Sequence, residues 1–397
     1  FRRKHSTYMA LLDLVDKISC SLDDKLYSIG VFMDLSKAFD TVDHTILLDK
    51  LQLYGVRGLA CDWFKDYLNN RKQFVQIGDV RSSYLTVTCG VPQGSILGPL
   101  LFLIYINDII HVSDKCDAIL FADDTNLFFQ HKDLKCLTDI VNDELSKIFN
   151  WFNLNKLSVN LKKTNFMLFK MKNKKYVMNN KIQINNTEIM SVEKTKFLGV
   201  IINENLTWND HVMLIKQKIA KSIGVISRVR YCMPRMVLLQ LYHTLIEPYL
   251  IYCNIIWAAN HSTTVNQLFI MQKKAVRLIT FSHWQCHTKP LFIRLSLLSV
   301  QKINRLQLAC FMYNARHKLL PVQFTKMFIL NTDVHKYGTR HREHIHLLHY
   351  RTNVCKYTAR FLGPSLWNTL SDELKKLPTY NLFKQKMSEF LLLSDAV

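Results

Sequence analysis

The sequence predicts an α+β fold with a split β-α-β core, followed by a basic helical region. Three observations carry that expectation. Candidate elements follow in the order strand, helix, strand, strand, helix, strand up to Phe129. The last of them is a hairpin, in which two apolar runs, Asp117 to Phe121 and Leu127 to Phe129, flank a polar tip holding Asp123 and Asp124. Charge is also uneven along the chain. Residues 1–150 carry 16 Lys and Arg against 20 Asp and Glu, whereas residues 151–397 carry 36 against 11, a net of +25.

Each element has a local reason. Thr7 to Ile18 places apolar residues at helical spacing behind the possible caps Ser6 and Thr7. Tyr27 to Leu35 is an apolar run of strand length, with Asp34 near its C-terminal end, where α/β folds place ligand groups. The chain then turns into a helix through Tyr54 with Thr41 or Asp43 as its cap. Asp40 and Asp43, in or near its first turn, read as structural. A helix over Leu59 to Leu68 and strands over Gln73 to Ile77 and Tyr84 to Thr88 precede a loop from Cys89 to Pro99. That loop holds Gly90, Gly94 and Gly98 and lets backbone approach a ligand. Helix Leu100 to Ile110 leads from it into the hairpin.

Successive residues of a strand point to opposite faces, so two adjacent carboxylates converge only where the chain turns. A pair about 4 Å apart repels by about 4 kcal/mol at an effective dielectric near 20. A divalent cation would relieve this, although Asp-Asp-Thr-Asn is also ordinary turn chemistry.

Composition bounds the rest. A chain of 397 residues splits into two or three domains, and 49% hydrophobic residues make it globular. The basic surplus points to a polyanion, most simply nucleic acid. Ten cysteines scattered singly, without zinc-ligand spacing, read as reduced thiols of an intracellular protein, nuclear or cytoplasmic. The longest apolar run, Pro99 to Ile106, falls well short of the ~18 residues that span a bilayer, and no signal peptide is present. No membrane association is expected. The chain opens on Phe1 and reads as an N-terminally truncated fragment, with Arg2, Arg3 and Lys4 the only basic cluster ahead of Asp34.

Asp34-Leu35-Ser36-Lys37-Ala38-Phe39-Asp40, the Val91-Pro92-Gln93-Gly94-Ser95 loop and Phe121-Ala122-Asp123-Asp124 resemble motifs A, B and C of reverse transcriptases, closest to those of jockey-type non-LTR retrotransposons. Leu157 to Phe169, with Asn160 and Lys163-Thr164, resembles motif D, and Lys196 to Val200 resembles motif E, the primer grip. Leu206-Thr207-Trp208, His211, Pro248 to Trp257 and Gly363 to Asn368 resemble the downstream part of the same elements, so the likeness covers nearly the whole chain.

The resemblance implies a right-hand polymerase with a split β-α-β palm, partial fingers, a helical thumb and a basic helical C-terminal region. Residues 1–205 would be the reverse transcriptase domain, 206–290 the thumb-like region and 291–397 the basic tail. It implies an RNA-directed DNA polymerase that uses an RNA template, a DNA primer and deoxynucleoside triphosphates, with two Mg²⁺ ions for which Mn²⁺ can substitute. Asp34, Asp123 and Asp124 would bind metal and Lys163 would act as general acid. Leu35, Phe39, Gln93 and Gly94 would bind the nucleotide, and Phe197, Leu198 and Gly199 would grip the primer. Phe39 also reads as a core aromatic, and Lys162 competes with Lys163 for its role. The alternative is an inactive or domesticated relic that binds nucleic acid, but every expected ligand is present.

Beyond motif E, Asp210 to Val229 places Lys216, Lys218 and Lys221 on the polar side of an amphipathic helix. Val237 to Trp257 and Leu268 to Thr280 continue the helical pattern, the latter with Lys273, Lys274 and Arg277 exposed. His335, His341, His344, His346 and His349, among Arg340, Arg342, Arg351 and Arg360, suggest nucleic-acid contact more than zinc. Lys170 to Asn186 reads as an exposed loop or hairpin.

Overall fold

The computed structural model describes residues 4–172, 174, 180–259, 263–334 and 341–394. Helices and strands are mixed, as the α+β expectation requires. Two compact units result: Lys25–Glu193, and the described residues of Arg2–Asp24 together with Lys194–Val397. Helix α1 (Thr7–Asp23) belongs to the second unit. Arg2 and Arg3 lie outside the described residues, and Lys4 donates to the carbonyl of Lys318 at 2.7 Å.

The first unit runs through β1 (Tyr27–Met33), α2 (His44–Leu53), α3 (Leu59–Leu68) and the two-residue strands β2 (Lys72–Gln73), β3 (Gln76–Ile77), β4 (Val80–Arg81) and β5 (Leu85–Thr86). It continues through α4 (Leu97–Ile106), β6 (Asp117–Phe121), β7 (Asp124–His131), α5 (Leu134–Leu154), β8 (Asn165–Phe169), β9 (Gln183–Ile184), β10 (Thr187–Glu188) and β11 (Met190–Ser191). Its main sheet has the order β11-β8-β1-β7-β6, antiparallel except for the β11–β8 pair. Strand β1 takes the centre because six of its seven residues are apolar or small enough to be buried on both faces. A Cβ at Gly30 would stand 3.0 Å from the Phe169 ring, a contact that ring would have to relieve. On one face Ile29, Val31 and Met33 join Leu127, Phe129 and Phe166 in a core that includes Leu47, Phe102, Val141 and Phe152 of the helices. Burying each such side chain stabilises the fold by roughly 1.5–3 kcal/mol.

Two expectations need correction. The strands over Gln73 to Ile77 and Tyr84 to Thr88 do not join the main sheet. They become two short ladders, β2–β5 and β3–β4, whose residues are exposed and find no core to pack on. Helix α4 starts at Leu97 and passes into a 3-10 turn at Asn107. Helix α5 has no counterpart among the expectations, although Leu137, Val141, Leu145, Ile148 and Phe152 fall at helical spacing and are buried. In the loop expected over Lys170 to Asn186, residues 173 and 175–179 lie outside the described residues, and β9 and β10 form a hairpin at its end.

The second unit contains α1, the hairpin β12 (Lys194–Phe197) and β13 (Val200–Asn203), then α6 (Asn209–Val229), α7 (Arg235–Leu245), α8 (Glu247–Ile251), α9 (Asn254–Trp257), α10 (Thr263–Thr280), α11 (Lys289–Arg294) and α12 (Val300–Arg316). Helices Ala359–Thr369 and Tyr380–Leu393 pack on α12, and α1 packs on α9 and on the short helix Asn353–Lys356. The helical stretch expected over Val237 to Trp257 is broken twice, at Ile246 ahead of Pro248 and at Cys253, which adopts φ +50°. No disulfide joins any of the ten cysteines. Among the described residues no helix is long and apolar enough to cross a membrane.

Candidate active site

The β6–β7 hairpin closes on a two-residue turn, Ala122-Asp123, because Phe121 pairs with Asp124. Asp123 therefore sits in the turn and is exposed, whereas Asp124 opens strand β7 and is half-buried. Ala122 adopts φ +53°, a conformation that costs a non-glycine residue about 1 kcal/mol. Strand β1 pairs with β7 in a register that ends at Met33 opposite Thr125. Asp34 follows directly after the last pair of that register, and its charge reaches Asp124. Burial lifts the Asp124 carboxyl above the ordinary range, and the charges of Asp123 and then Asp34 raise it further.

The chain around Asn160 supports Asp34 from its other flank. Asn160 N donates to the Asp34 carbonyl at 2.8 Å, Thr164 Oγ1 accepts from Asp34 N at 3.5 Å, and Lys163 Nζ stands 3.4 Å from Asp34 Oδ2. Lys163 is thus the member of the Lys162-Lys163 pair at the carboxylates. Leu35 bridges to Val159, but the bridging hydrogen bonds run from Ser36 N to Ser158 O and from Asn160 N to Asp34 O, bypassing the Leu35 carbonyl. Among the described residues no three His, Cys, Asp or Glu side chains already stand as a coordinating set. The donors of the triad are all carboxylate oxygens, which suit a hard divalent ion. Burial first, and the neighbouring carboxylates second, disfavour ionisation of Asp124, while the Lys163 ammonium stands beside Asp34.

The Cys89–Pro99 loop lies against the turn that follows β1. Gly90 N donates to Val42 O at 2.7 Å and Val91 N to Phe39 O at 2.8 Å. Gly90, at φ +89°, can only be glycine, since a Cβ would stand 2.8 Å from the Asp40 carbonyl. Gln93 Nε2 donates to Asp40 Oδ1 at 2.8 Å, and Gly94 is exposed at φ +78° with open space around it. Asp40 is therefore not a cap but the partner of Gln93. Asp43 is the cap, accepting from Thr45 N and Ile46 N, and its other oxygen pairs with Lys156 Nζ at 2.6 Å. The Phe39 ring packs 4.6 Å from that of Phe102 and stays half-buried, so part of its bulk belongs to the core.

Within the second unit, β12 and β13 meet at Leu198-Gly199, with φ +44° and +80°, between the paired Phe197 and Val200. Helix α6 buries His211, Val212, Ile215, Ile219, Ile223 and Ile226 and exposes Lys218, Lys221 and Arg228. Lys216 is half-buried, with Nζ on Gln267 Oε1 at 2.9 Å. Of the basic residues Lys273, Lys274 and Arg277 in α10, only Lys274 is exposed. Lys273 lies over the Phe269 ring at 4.2 Å, and Arg277 Nε donates to Cys286 O at 3.0 Å.

The Arg and His cluster is also partly structural. Arg351 donates to the carbonyls of Leu22 and Asp23, satisfying the end of α1, and Arg360 pairs with Asp16 at 3.0 Å. His335 and Arg340 lie outside the described residues, and the rings of His341 and His344 are 4.5 Å apart.

Comparison with known proteins gives the family. The profile of the family described as reverse transcriptase (RNA-dependent DNA polymerase) matches residues 1–202, and the chain belongs to that family. Its relatives are polymerases of mobile elements. The probable RNA-directed DNA polymerase from transposon X-element of Drosophila melanogaster is 28% identical over 318 residues, 77% of this chain and 34% of its own length. The RNA-directed DNA polymerase from mobile element jockey of the same species is 25% identical over 305 residues, 73% and 32%. The chain thus spans about a third of the length of the curated relatives it matches. Among solved structures, apo telomerase from Candida tropicalis aligns over 72% of this chain and 48% of its own, at 12% identity and a TM-score of 0.36, too distant to bear on function.

Proposed function

We propose that this chain is the RNA-directed DNA polymerase core of a non-LTR retrotransposon, extending a DNA primer along an RNA template by nucleotidyl transfer. The observation that carries this reading is the gathering of Asp34, just past the end of the β1–β7 register, with Asp124 and with Asp123 in the adjoining turn, close enough for their charges to act on Asp124. These three carboxylates, with the Leu35 carbonyl, would hold two Mg²⁺ ions, or Mn²⁺ in their place. Bound there, the ions would supply a lowered pKa at the primer 3′-hydroxyl and charge neutralisation at the leaving pyrophosphate.

The remaining roles belong to this chain's own side chains. Lys163 would give a proton to the departing pyrophosphate as general acid. Phe39 would lie beneath the incoming sugar and leave no room for a 2′-hydroxyl. Gln93, oriented by Asp40, and the open backbone at Gly94 would place the nucleotide against the template base. Phe197, Leu198 and Gly199 would hold the primer, and Lys218, Lys221 and Arg228 would meet phosphates of the duplex.

Primer extension on an RNA template with Mg²⁺ tests the reading. Asp34→Asn and Asp123→Asn should each lower the rate by roughly a hundredfold or more while RNA–DNA hybrid binding persists. Extension by either variant at the wild-type rate would refute it.

A further inference from the structure

The stretch Pro248 to Trp257 and the isolated His211 have no task in the reading above, yet both reach the β12–β13 hairpin within the second unit. Tyr252 Oη donates to the Leu198 carbonyl at 2.7 Å. Its ring lies against the other turn residue, since a Cβ on Gly199 would meet Tyr252 Cε1 at 3.4 Å. Leu198 holds φ +44°, a left-handed conformation that a leucine adopts only at a cost, so an external tie is needed to keep the turn in one state. Burial raises the Tyr252 pKa, which keeps the hydroxyl protonated and donating.

Tyr252 is itself fixed on both sides. Its N–H donates to Pro248 O at 3.0 Å, and its carbonyl accepts from Trp257 Nε1 at 2.8 Å. Cys253 turns at φ +50° between α8 and α9, and Gln307 Nε2 anchors the neighbouring Ile251 carbonyl at 2.8 Å. The fully buried Trp257 then packs edge-on against His211 at 5.6 Å. His211 Nδ1 accepts from Ile201 N at 3.3 Å, a second tie to the same hairpin. A hydroxyl on the turn and a ring nitrogen on the following strand leave the hairpin little freedom to rock.

We propose that Tyr252 is a positioning residue that fixes the Leu198-Gly199 turn and, through it, the primer terminus. This rests on the primer-grip reading of that turn. Tyr252→Phe keeps the ring and removes only the hydroxyl. In primer extension it should lower kcat about tenfold, the loss expected for one hydrogen bond, with nucleotide KM unchanged and thermal stability nearly so. A primer carrying 2-aminopurine at its 3′ end, bound with template in EDTA, should show altered fluorescence with the variant at unchanged affinity, a readout that needs no turnover. Wild-type fluorescence with the variant would overturn the proposal, as would wild-type kcat or an effect on nucleotide KM alone. If Asp123→Asn extends like wild type, the polymerase reading fails instead, and the two failures are distinct.

Discussion

The β6–β7 and β12–β13 hairpins are built alike and held differently. Each closes on a two-residue turn and places a non-glycine residue at positive φ, Ala122 at +53° and Leu198 at +44°. The first tip carries Asp123 and Asp124, and burial with the charges of Asp123 and Asp34 disfavours ionisation of Asp124. The second tip carries no charge and is tied to Tyr252 and, through Ile201, to His211. One hairpin therefore holds repulsion that a cation can relieve, whereas the other is secured by hydrogen bonds.

The largest break in the comparison comes from acid. Burial depresses His211 to a pKa of about 4, so the folded state keeps it neutral while the unfolded chain takes a proton at the ordinary value. Stability from this group is present above the unfolded pKa of about 6.5 and is lost as pH falls toward 4, by about 3 kcal/mol in all. Asp124 acts in the opposite direction. Its folded pKa is raised, so the folded state gains stability as pH falls through that value and loses it as pH rises. Amide hydrogen exchange, corrected for intrinsic rates, should show protection at Ile201 falling between pH 7 and pH 5 while that at Thr125 holds or rises. Parallel losses at both amides would contradict the contrast.

Phe39 lies in neither hairpin and tests whether the account reaches past them. Phe39→Ala should cost about 2 kcal/mol through its contact with Phe102 and should raise ribonucleotide relative to deoxyribonucleotide incorporation. A stability loss with an unchanged ratio would make the ring purely structural. The smallest effect is at Ala122. Ala122→Gly removes the left-handed strain but frees the unfolded chain, so stability should stay within about 1 kcal/mol of wild type. A larger loss would mean that the turn depends on the alanine methyl.

The sequence reveals the parts of the site that are local. Strand β1, helix α3 and strand β6 lie where apolar runs and turn residues place them, because each segment carries its own periodicity. Asp34, Asp123 and Asp124 are legible from strand ends and a turn. Pairings across long stretches of chain are not. The Asp40–Gln93 bond, the Lys163–Asp34 approach and the Tyr252–Leu198 tie join residues whose distance in sequence gives no signal to composition or spacing. Exposure misleads for the same reason. Arg351 and Arg360 look like free cations in the sequence but are taken up by α1, a partner more than three hundred residues away. Helix α5, by contrast, is fully written in the spacing of its buried residues.

The central claim, that Asp34, Asp123 and Asp124 make one place for divalent cations, is tested most directly by melting temperature with and without Mg²⁺. The wild-type chain should be stabilised by Mg²⁺, by about 1.4 kcal/mol at ten times the dissociation constant. Asp124→Asn removes the group whose ionisation is disfavoured, so this variant should melt higher than wild type without Mg²⁺ and respond little when the ion is added. An Asp124→Asn chain that is no more stable than wild type in the absence of Mg²⁺, and gains as much on its addition, would contradict the account.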